Sequence, residues 1–255
     1  MKNFSYIVLV LLLLVSNTRI AMATEAAIAK AEAALAVAEA ALAEAQAAVV
    51  EAKSALAKAA TEKWVSMFDG ESTAGWSIPV YGGDGEVDVL GGNLVIGRGA
   101  MMTGVRYEKE FPKVNYEIQY EARRTQGYDF FASCTFPVKE SFCTFVNGGW
   151  GGGTTGLSSI DDYDASENPS STYFDYRANT WHRFRIRVTD NAIQVWITVQ
   201  DKEGNWGEEK SIINLNTEDK RLSTRIEVER YKPLGFCTWN AEGQLRNIEY
   251  RVIPK

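Results

Sequence analysis

The chain has 255 residues, a net charge of −6 at neutral pH, and seven tryptophans, eleven tyrosines and one histidine. A net negative charge argues against nucleic acid as a partner, because phosphates are bound by basic surfaces. A single histidine excludes a zinc centre built from several histidines.

The first 23 residues have the pattern of a secretory leader. Lys2 precedes an unbroken apolar run from Tyr6 to Val15, and Ala21-Met22-Ala23 is a small-x-small cleavage site. The apolar run is too short for a bilayer span, which takes about 20 residues. We therefore predict a signal peptide over residues 1–23 and an exported chain in the periplasm, the cell envelope or the medium, with no membrane span after leader removal. An uncleaved anchor is the alternative.

Residues 24–63 are rich in alanine and contain neither glycine nor proline. The larger apolar side chains recur every seven positions, at Ile28, Leu35, Leu42, Val49 and Leu56. Alanine stands at each d position three residues later, and a strict heptad is the signature of a left-handed coiled coil. We predict homo-oligomerisation through residues 25–60. A lone helix stabilised by alanine propensity is the alternative.

From Trp64 onward alanine becomes rare, and aromatic and β-branched residues become frequent. Apolar and polar residues alternate from Tyr116 to Arg123 and from His182 to Val188, and a third apolar face begins at Ile193. Alternation with a period of two predicts half-buried strands, and several of them predict an all-β sandwich over residues 64–255. His182 lies in the apolar register, so we expect it to be a buried packing residue.

Two motifs at the ends of this segment carry a family resemblance. Phe68-Asp69-Gly70 is followed by Gly75-Trp76, and Arg246-Asn247-Ile248 lies close to the C-terminus. Together they resemble the start and end of the 3-keto-disaccharide hydrolase domain family. The resemblance covers residues 64–255, and it implies a concanavalin-like jelly roll, a carbohydrate-active function and a saccharide ligand.

The family resemblance also implies a chemistry. A ketone at C3 of a sugar acidifies the C2 proton, so the glycosidic bond can break by elimination with one base and one group that stabilises the enolate. Glu121-Ala122-Arg123 resembles the Glu-x-Arg of the family, which implies Glu121 as the base and Arg123 as the enolate stabiliser.

Other observations leave this chemistry open. Glu117 and Glu121 could instead form a cross-strand charge ladder with the arginines of the strand that begins at His182. The family's Asn-Ser-Gly is replaced by Gly127-Tyr128-Asp129-Phe130, and no Glu-x-Gln is recognisable near Trp150. A non-catalytic glycan-binding module on a coiled-coil arm is therefore the second hypothesis, and an envelope scaffold is the third.

Two adjacent loops supply candidate ligand residues. Trp150 stands among five glycines in 147–153, which predicts a sugar-stacking platform with Asn147 beside it, or else a tight bend with a buried ring. In 157–168, Asp161, Tyr163, Glu167 and Asn168 are candidates for binding sugar hydroxyls. Calcium is an alternative ligand of this acidic loop, and a solvated loop is the simplest interpretation. We otherwise predict no metal and no cofactor.

The three cysteines all follow residue 64. A turn at Val138-Lys139 would place Cys134 opposite Cys143 across a hairpin, at a separation that suits a disulfide. The alternative is three small buried hydrophobic residues, and Cys237 has no deducible partner.

Overall fold

The structure is a computed structural model that describes residues 2–61 and 63–254. Side chains are described throughout these ranges except for residues 2–13, 20, 23 and 57–61. The contacts divide the chain into two units, Met1–Ala59 and Ala60–Lys255.

The first unit is a single helix, α1 (Lys2–Thr61). The predicted a-position side chains are exposed, with Leu35 at 58% and Leu42 at 59%. Most side chains of the predicted leader, and that of the last d-position alanine, Ala59, lie outside the described residues. A segment of this helix, Leu14–Leu56, is long and apolar enough to cross a membrane, with an 18-residue window of mean hydropathy 1.5. A signal sequence near an N-terminus has the same properties.

The second unit consists mainly of two antiparallel sheets, as the alternating pattern predicts. Sheet A has the strand order β13-β12-β11-β6-β15-β4-β3, with β1 paired to β15. Its strands are β1 (Val65–Ser66), β3 (Val87–Leu90), β4 (Asn93–Ile96), β6 (Tyr116–Gly127), β11 (His182–Val188), β12 (Ala192–Val199), β13 (Lys210–Asn216) and β15 (Ala241–Val252). The pairing of β1 with β15 places the two end motifs beside each other.

Sheet B has the strand order β10-β9-β8-β7-β14-β5-β2. Its strands are β2 (Trp76–Ser77), β5 (Met102–Tyr107), β7 (Ser133–Val138), β8 (Ser141–Gly148), β9 (Thr154–Ser158), β10 (Thr172–Tyr173) and β14 (Gly235–Trp239). A short helical turn, α2 (Gly149–Gly152), follows β8, and a 3₁₀ helix (Ile226–Tyr231) precedes β14.

The core lies between the sheets and is aromatic at its centre. Tyr120 of sheet A stacks on Phe184 at 5.1 Å between ring centroids and meets Phe236 of sheet B edge-on at 4.7 Å. The Tyr120 hydroxyl donates a hydrogen bond of 3.1 Å to the carbonyl of Ala132, so its polar end is satisfied in the dry interior. Because these rings point inward, the alternate residues of the same strands must point outward.

A second, smaller apolar cluster lies on the outer side of sheet B. Cys237 follows the core residue Phe236, so the strand alternation turns it outward, where it packs with Met102, Val228 and Tyr231. The 3₁₀ helix that carries Val228 and Tyr231 thus covers part of this outer face. The uncovered part leaves a depression beside it.

The β7–β8 hairpin corrects one prediction. Its turn lies at Lys139-Glu140, one residue later than expected, because Val138 pairs with Ser141. Cys134 therefore faces Phe145, and Cys143 faces Phe136. All three cysteines are free, buried thiols, so the predicted Cys134–Cys143 disulfide is not formed and they serve as small hydrophobic residues. Lys139 takes a left-handed φ of 55°, which the side-chain pattern of the strands does not reveal.

His182 is 1% exposed, as its apolar register predicts. It stacks on Phe184 at 6.1 Å and meets Tyr176 edge-on at 5.1 Å, and neither ring nitrogen has a hydrogen-bond partner among the described residues. Burial lowers the pKa of His182 to about 4 because the imidazolium form loses its hydration there.

This buried imidazole makes stability depend on pH. Between pH of about 4 and 6.5 the unfolded chain binds a proton at His182 that the folded chain does not, so the free energy of unfolding falls as the pH falls through this window. The expected loss is roughly 3 kcal/mol. Urea unfolding of wild type and His182→Phe at several pH values measures it. If the free energy of unfolding changed equally with pH in the two proteins within this window, the assignment of the effect to His182 would be wrong.

Candidate functional site

The depression on the outer face of sheet B is a cavity of about 230 Å³. Strands β5, β7, β8, β9 and β14 supply its floor, and the α2 loop and the 3₁₀ helix supply its walls. The lining residues are Met102, Asp129, Phe130, Ser133, Thr144, Val146, Trp150, Ser158, Arg225, Glu227, Val228 and Trp239. They combine aromatic surface with carboxylates, hydroxyls and one guanidinium, which is the kind of lining that binds small polar ligands.

Trp150 stands at the rim of this cavity because its backbone turns sharply. Trp150 has φ 49° and ψ 46°, a left-handed conformation that costs a non-glycine residue about 1 to 2 kcal/mol. Gly148, Gly151 and Gly152 have positive φ values of 82°, 92° and 115° on either side of it. The glycine run thus forms the bend, and the bend leaves the indole 48% exposed. The tight bend is present but the ring is not buried, so the sugar-stacking role of Trp150 stays a prediction.

Asp129 is a carboxylate of the cavity that binds no cation among the described residues. Its Oδ1 accepts a hydrogen bond of 2.8 Å from the Phe130 N–H, and its Oδ2 accepts one of 3.3 Å from the Gly151 N–H. The second bond ties the aspartate to the loop that carries Trp150. Ser133 lies deeper, at 1% exposure, and its hydroxyl has no hydrogen-bond partner among the described residues. The cavity lining therefore includes a hydroxyl whose hydrogen-bonding capacity is unused among the described residues.

The opposite wall carries an ion-pair network. Arg225 donates to Glu227 through Nε at 3.2 Å and Nη2 at 2.9 Å, and its Nη1 donates to Asp164. The Arg225 guanidinium lowers the pKa of Glu227, and Glu227 in turn raises the pKa of Arg225. This wall is rigidly paired, so it suits the recognition of hydroxyl groups better than proton transfer.

The predicted ligand residues of the acidic loop have mainly structural contacts. Asp161 accepts from the Lys220 ammonium at 3.0 Å and from the Arg221 N–H at 2.9 Å. Asn168 is buried and donates to three loop carbonyls, among them Leu157 at 2.7 Å. Tyr163 is 61% exposed and Glu167 is exposed, and neither lines the cavity. Because Asp161 is paired with Lys220, Asp162 with Arg221 and Asp164 with Arg225, the loop has few free oxygens for the calcium alternative.

Asn147, the predicted neighbour of Trp150, is turned into the sandwich. It is fully buried, and its Oδ1 accepts a hydrogen bond of 3.2 Å from the Ala132 N–H. It lies on the same strand as the cavity residues Thr144 and Val146 but at the opposite parity. Asn147 therefore positions the β7–β8 edge and does not face the cavity.

Glu121 and Arg123 lie on the other side of the molecule, on the outer face of sheet A. Glu121 is 3% exposed, and both carboxylate oxygens are bound: Oε1 by Arg183 at 2.7 Å and Oε2 by Arg246 at 2.7 Å. Arg123 donates two hydrogen bonds to the side-chain oxygen of Gln244, at 3.0 and 2.7 Å. The two predicted catalytic residues thus have separate partners, and neither of them lines the cavity that contains Trp150. Their catalytic role stays a prediction that this geometry does not favour.

The charge ladder is the interpretation that the contacts confirm. Glu121 pairs with Arg183 across β6 and β11, and Glu117 is bound by Arg185 at 3.0 Å and approached by Arg187 at 3.7 Å. A polar cavity of about 300 Å³ next to Glu121 is lined by the Phe68-Asp69-Gly70 motif and the β15 bulge around Asn247. Of its carboxylates, Glu121 is paired with Arg183 and Arg246, whereas Glu249 accepts a hydrogen bond from Gln119 and Asp69 accepts hydrogen bonds within its own turn.

Most of the residues that line the cavity could not be identified from the sequence. Asp129 and Phe130 are visible in the sequence only as a departure from a family motif, and Trp239 is the last residue of a strand with no distinctive pattern. Arg225 and Glu227 lie at the start of a short 3₁₀ helix, Arg225 directly before it, and no periodicity marks this helix. Their convergence depends on the topology of sheet B, which brings together segments about 100 residues apart.

Comparison with known proteins agrees with this architecture. The lumenal domain of VIP36, solved with Ca²⁺ and Man3GlcNAc bound, is 9% identical, with a TM-score of 0.51 over 76% of this chain and 92% of that one. The seed lectin of Lotus tetragonolobus is 10% identical, with a TM-score of 0.47 over 76% and 98%. The catalytic domain of a glycoside hydrolase family 131 protein from Coprinopsis cinerea is 11% identical, with a TM-score of 0.39 over 64% and 71%. The likeness to the VIP36 domain shows a jelly-roll-like fold of two antiparallel sheets.

No curated protein matches this chain. The sequence profile of one family, described as the 3-keto-alpha-glucoside-1,2-lyase-like domain, matches residues 63–251, which include both sheets. This match agrees with the resemblance carried by the two end motifs. The chain therefore belongs to the 3-keto-alpha-glucoside-1,2-lyase-like domain family.

Proposed function

We propose that the protein is an exported saccharide-binding protein, and that the sugar binds in the cavity on the outer face of sheet B. The observation that carries this proposal is the lining of that cavity: the half-exposed Trp150 at the rim above the unpartnered hydroxyl of Ser133. Sugars present flat C–H faces to an indole and hydroxyls to polar side chains. Membership of a carbohydrate-active family supports this ligand class.

The paired wall of the cavity supports binding. Glu227 and Arg225 hold each other in fixed orientations and can still accept or donate further hydrogen bonds to hydroxyls. Phe130 and Trp239 lie 6.4 Å apart between ring centroids and add a second aromatic surface. Because these side chains are already held in place, less side-chain entropy is lost when a ligand binds.

Eliminative cleavage is a second candidate, favoured by one observation: the Asp129 carboxylate faces the cavity without a cation partner among the described residues. In this reaction the carboxylate removes the C2 proton of a 3-keto sugar, and the C–H electron pair forms an enolate that the Ser133 hydroxyl can bind. The enolate then forms the C1=C2 bond as the glycosidic oxygen leaves C1. That oxygen takes the proton back from Asp129, so the products are an unsaturated keto sugar and an alcohol.

We also propose the domain organisation that the sequence predicts: a leader over 1–23, an oligomerising arm over 24–63 and the sugar-binding sandwich over 64–255. The exposed heptad side chains of α1 support self-association, since a row of large apolar residues on one helix is stabilised by a partner. Several linked binding domains would increase the avidity for a polymeric ligand.

Removing the Trp150 ring tests the binding site. We expect Trp150→Gly to weaken saccharide binding about tenfold, the equivalent of about 1.4 kcal/mol of lost stacking. Glycine suits the left-handed backbone here, so the free energy of unfolding should not fall. The ligand is first found by thermal shift against a glycan panel with oxidised disaccharides, and calorimetry then gives the affinity. Tyr163→Ala, outside the cavity, is the matched control, and equal losses in both variants would contradict the site.

Asp129→Asn separates cleavage from binding. If the protein cleaves a disaccharide oxidised at C3, this variant should lose more than about 100-fold in rate, as expected for removal of a general base. Sugar affinity should change little. The conjugated product is followed by its ultraviolet absorbance. Glu121→Gln, checked for folding, is the control from sheet A, and a larger loss in that variant than in Asp129→Asn would assign the chemistry to the other face.

Self-association is tested on the chain that begins at Thr24. We expect sedimentation equilibrium to show an oligomer, and Leu35→Glu with Leu42→Glu to give a monomer, because two charges in a coiled-coil seam cannot be buried. Ala33→Glu with Ala40→Glu places the same charges at the f positions, away from the seam. A monomeric wild-type protein would contradict the proposal.

A further inference from the structure

The outer face of sheet A has an unusual composition for an acidic protein. Six arginines point outward from its three central strands: Arg123 on β6, Arg183, Arg185 and Arg187 on β11, and Arg246 and Arg251 on β15. The outward carboxylates of the same strands are those of Glu117, Glu121, Glu242 and Glu249. Six arginines against these four glutamates and Glu209, which reaches the face from the loop before β13, leave an excess of one positive charge, whereas the whole chain carries −6.

The buried glutamates do not neutralise the arginines individually. Glu117 is 1% exposed and is shared by Arg185, Arg187 and Arg251. Arg185 has a further partner in Glu209, from the loop before β13, at 2.6 Å. Glu117 and Glu121 are buried, whereas the side chains of Arg183, Arg187 and Arg246 that contact them are 32%, 41% and 34% exposed, so the guanidinium groups of these pairs are the part that reaches solvent.

Two arginines have no direct carboxylate hydrogen bond. Arg123 donates only to the neutral Gln244 among the described residues, and burial, together with the nearby Arg246, lowers the pKa of Arg123. The Nε of Arg187 makes no hydrogen bond among the described residues and lies 3.7 Å from Glu117. An anion bound beside these two groups would stabilise charges that the protein leaves incompletely compensated.

Tryptophan rings hold the guanidinium groups in place. Arg123 and Arg246 both lie over Trp181, with Cζ at 4.6 and 4.1 Å from the ring centroid. Arg185 lies over Trp196 at 3.9 Å, and Arg183 lies over Trp206 at 4.2 Å. Stacking fixes the planar groups before a ligand arrives, so less side-chain entropy is lost on binding.

We propose that this arginine–tryptophan face, formed by the six arginines with Trp181, Trp196 and Trp206, binds an anionic polysaccharide bearing carboxylate or sulfate groups. The charges repeat in a flat array: successive arginines of β11 are about 6.8 Å apart and neighbouring strands about 4.8 Å apart. A periodic array matches a polymer whose charge also repeats, and guanidinium groups bind carboxylate and sulfate oxygens in pairs. The face is on the opposite sheet from the cavity, so the two sites can act independently.

The test uses polygalacturonate as the polymer and neutral dextran as its uncharged counterpart, with affinity electrophoresis and calorimetry at low salt. We expect binding to polygalacturonate that weakens as salt is added, and no binding to dextran by this face. Arg123→Gln with Arg187→Gln should weaken the binding about tenfold, the size of one to two lost charge-assisted hydrogen bonds. Neither arginine holds a carboxylate alone, so the fold should survive, which thermal unfolding checks.

Lys109→Gln with Lys113→Gln removes two charges from the loop before β6 and serves as the matched control. Equal binding by the two double variants would overturn the proposal, and so would the absence of binding by the wild type. Tighter binding to DNA or to anionic lipid vesicles at equal charge concentration would also overturn it, because it would assign the face to another polyanion. Trp150→Gly should bind polygalacturonate like the wild type, so a failure of the cavity proposal is distinguishable from a failure of this one.

Discussion

The close packing of aromatic rings between the two sheets is the constraint on which the rest of the structure depends. Tyr120, Phe184 and Phe236 interlock at the centre, and burial of such rings is the main favourable contribution to folding. Because side chains alternate along a strand, each ring that points inward fixes its two neighbours outward. The core thus determines what the outer faces present to solvent.

The two outer faces have different chemistry for this reason. On sheet A, many residues between core positions are long and charged, and four of the six arginines hydrogen-bond to glutamate while Arg123 and Arg187 do not, within the part of the chain that the structure describes. On sheet B the corresponding residues include the short hydroxyl residues Ser133, Thr144 and Ser158, which leave room for the cavity next to the 3₁₀ helix. A small polar ligand can therefore enter sheet B, whereas sheet A offers a charged plane. The two carboxylates of the sheet B cavity also differ from each other. Glu227 is paired with Arg225, whereas Asp129 has no cation partner among the described residues.

Much of the fold could be predicted from the sequence, because alternation is a local property. The strands around Tyr120 and Phe184 and the burial of His182 all follow from periodicity of two. The β7–β8 register could not be predicted, since it depends on the left-handed conformation of Lys139 at the turn, and a turn shifted by one residue separates Cys134 from Cys143.

The candidate site was less predictable than the fold. The glycine run points to Trp150, because a backbone conformation that few residues other than glycine adopt is marked in the sequence by glycines. Glu121 was assigned a catalytic role from its local motif, but its partner Arg246 is 125 residues away. A carboxylate's chemistry depends on the charges around it, and those come from strands that only the three-dimensional structure brings together.

The central claim is that the sugar site lies on sheet B, between the α2 loop and the 3₁₀ helix. A crystal structure of the protein with a bound saccharide would test it most directly. We expect a sugar ring against the Trp150 indole, with hydroxyls within hydrogen-bond distance of Ser133 and Asp129. A sugar bound instead beside Glu121 on sheet A, with the sheet B cavity empty, would contradict it.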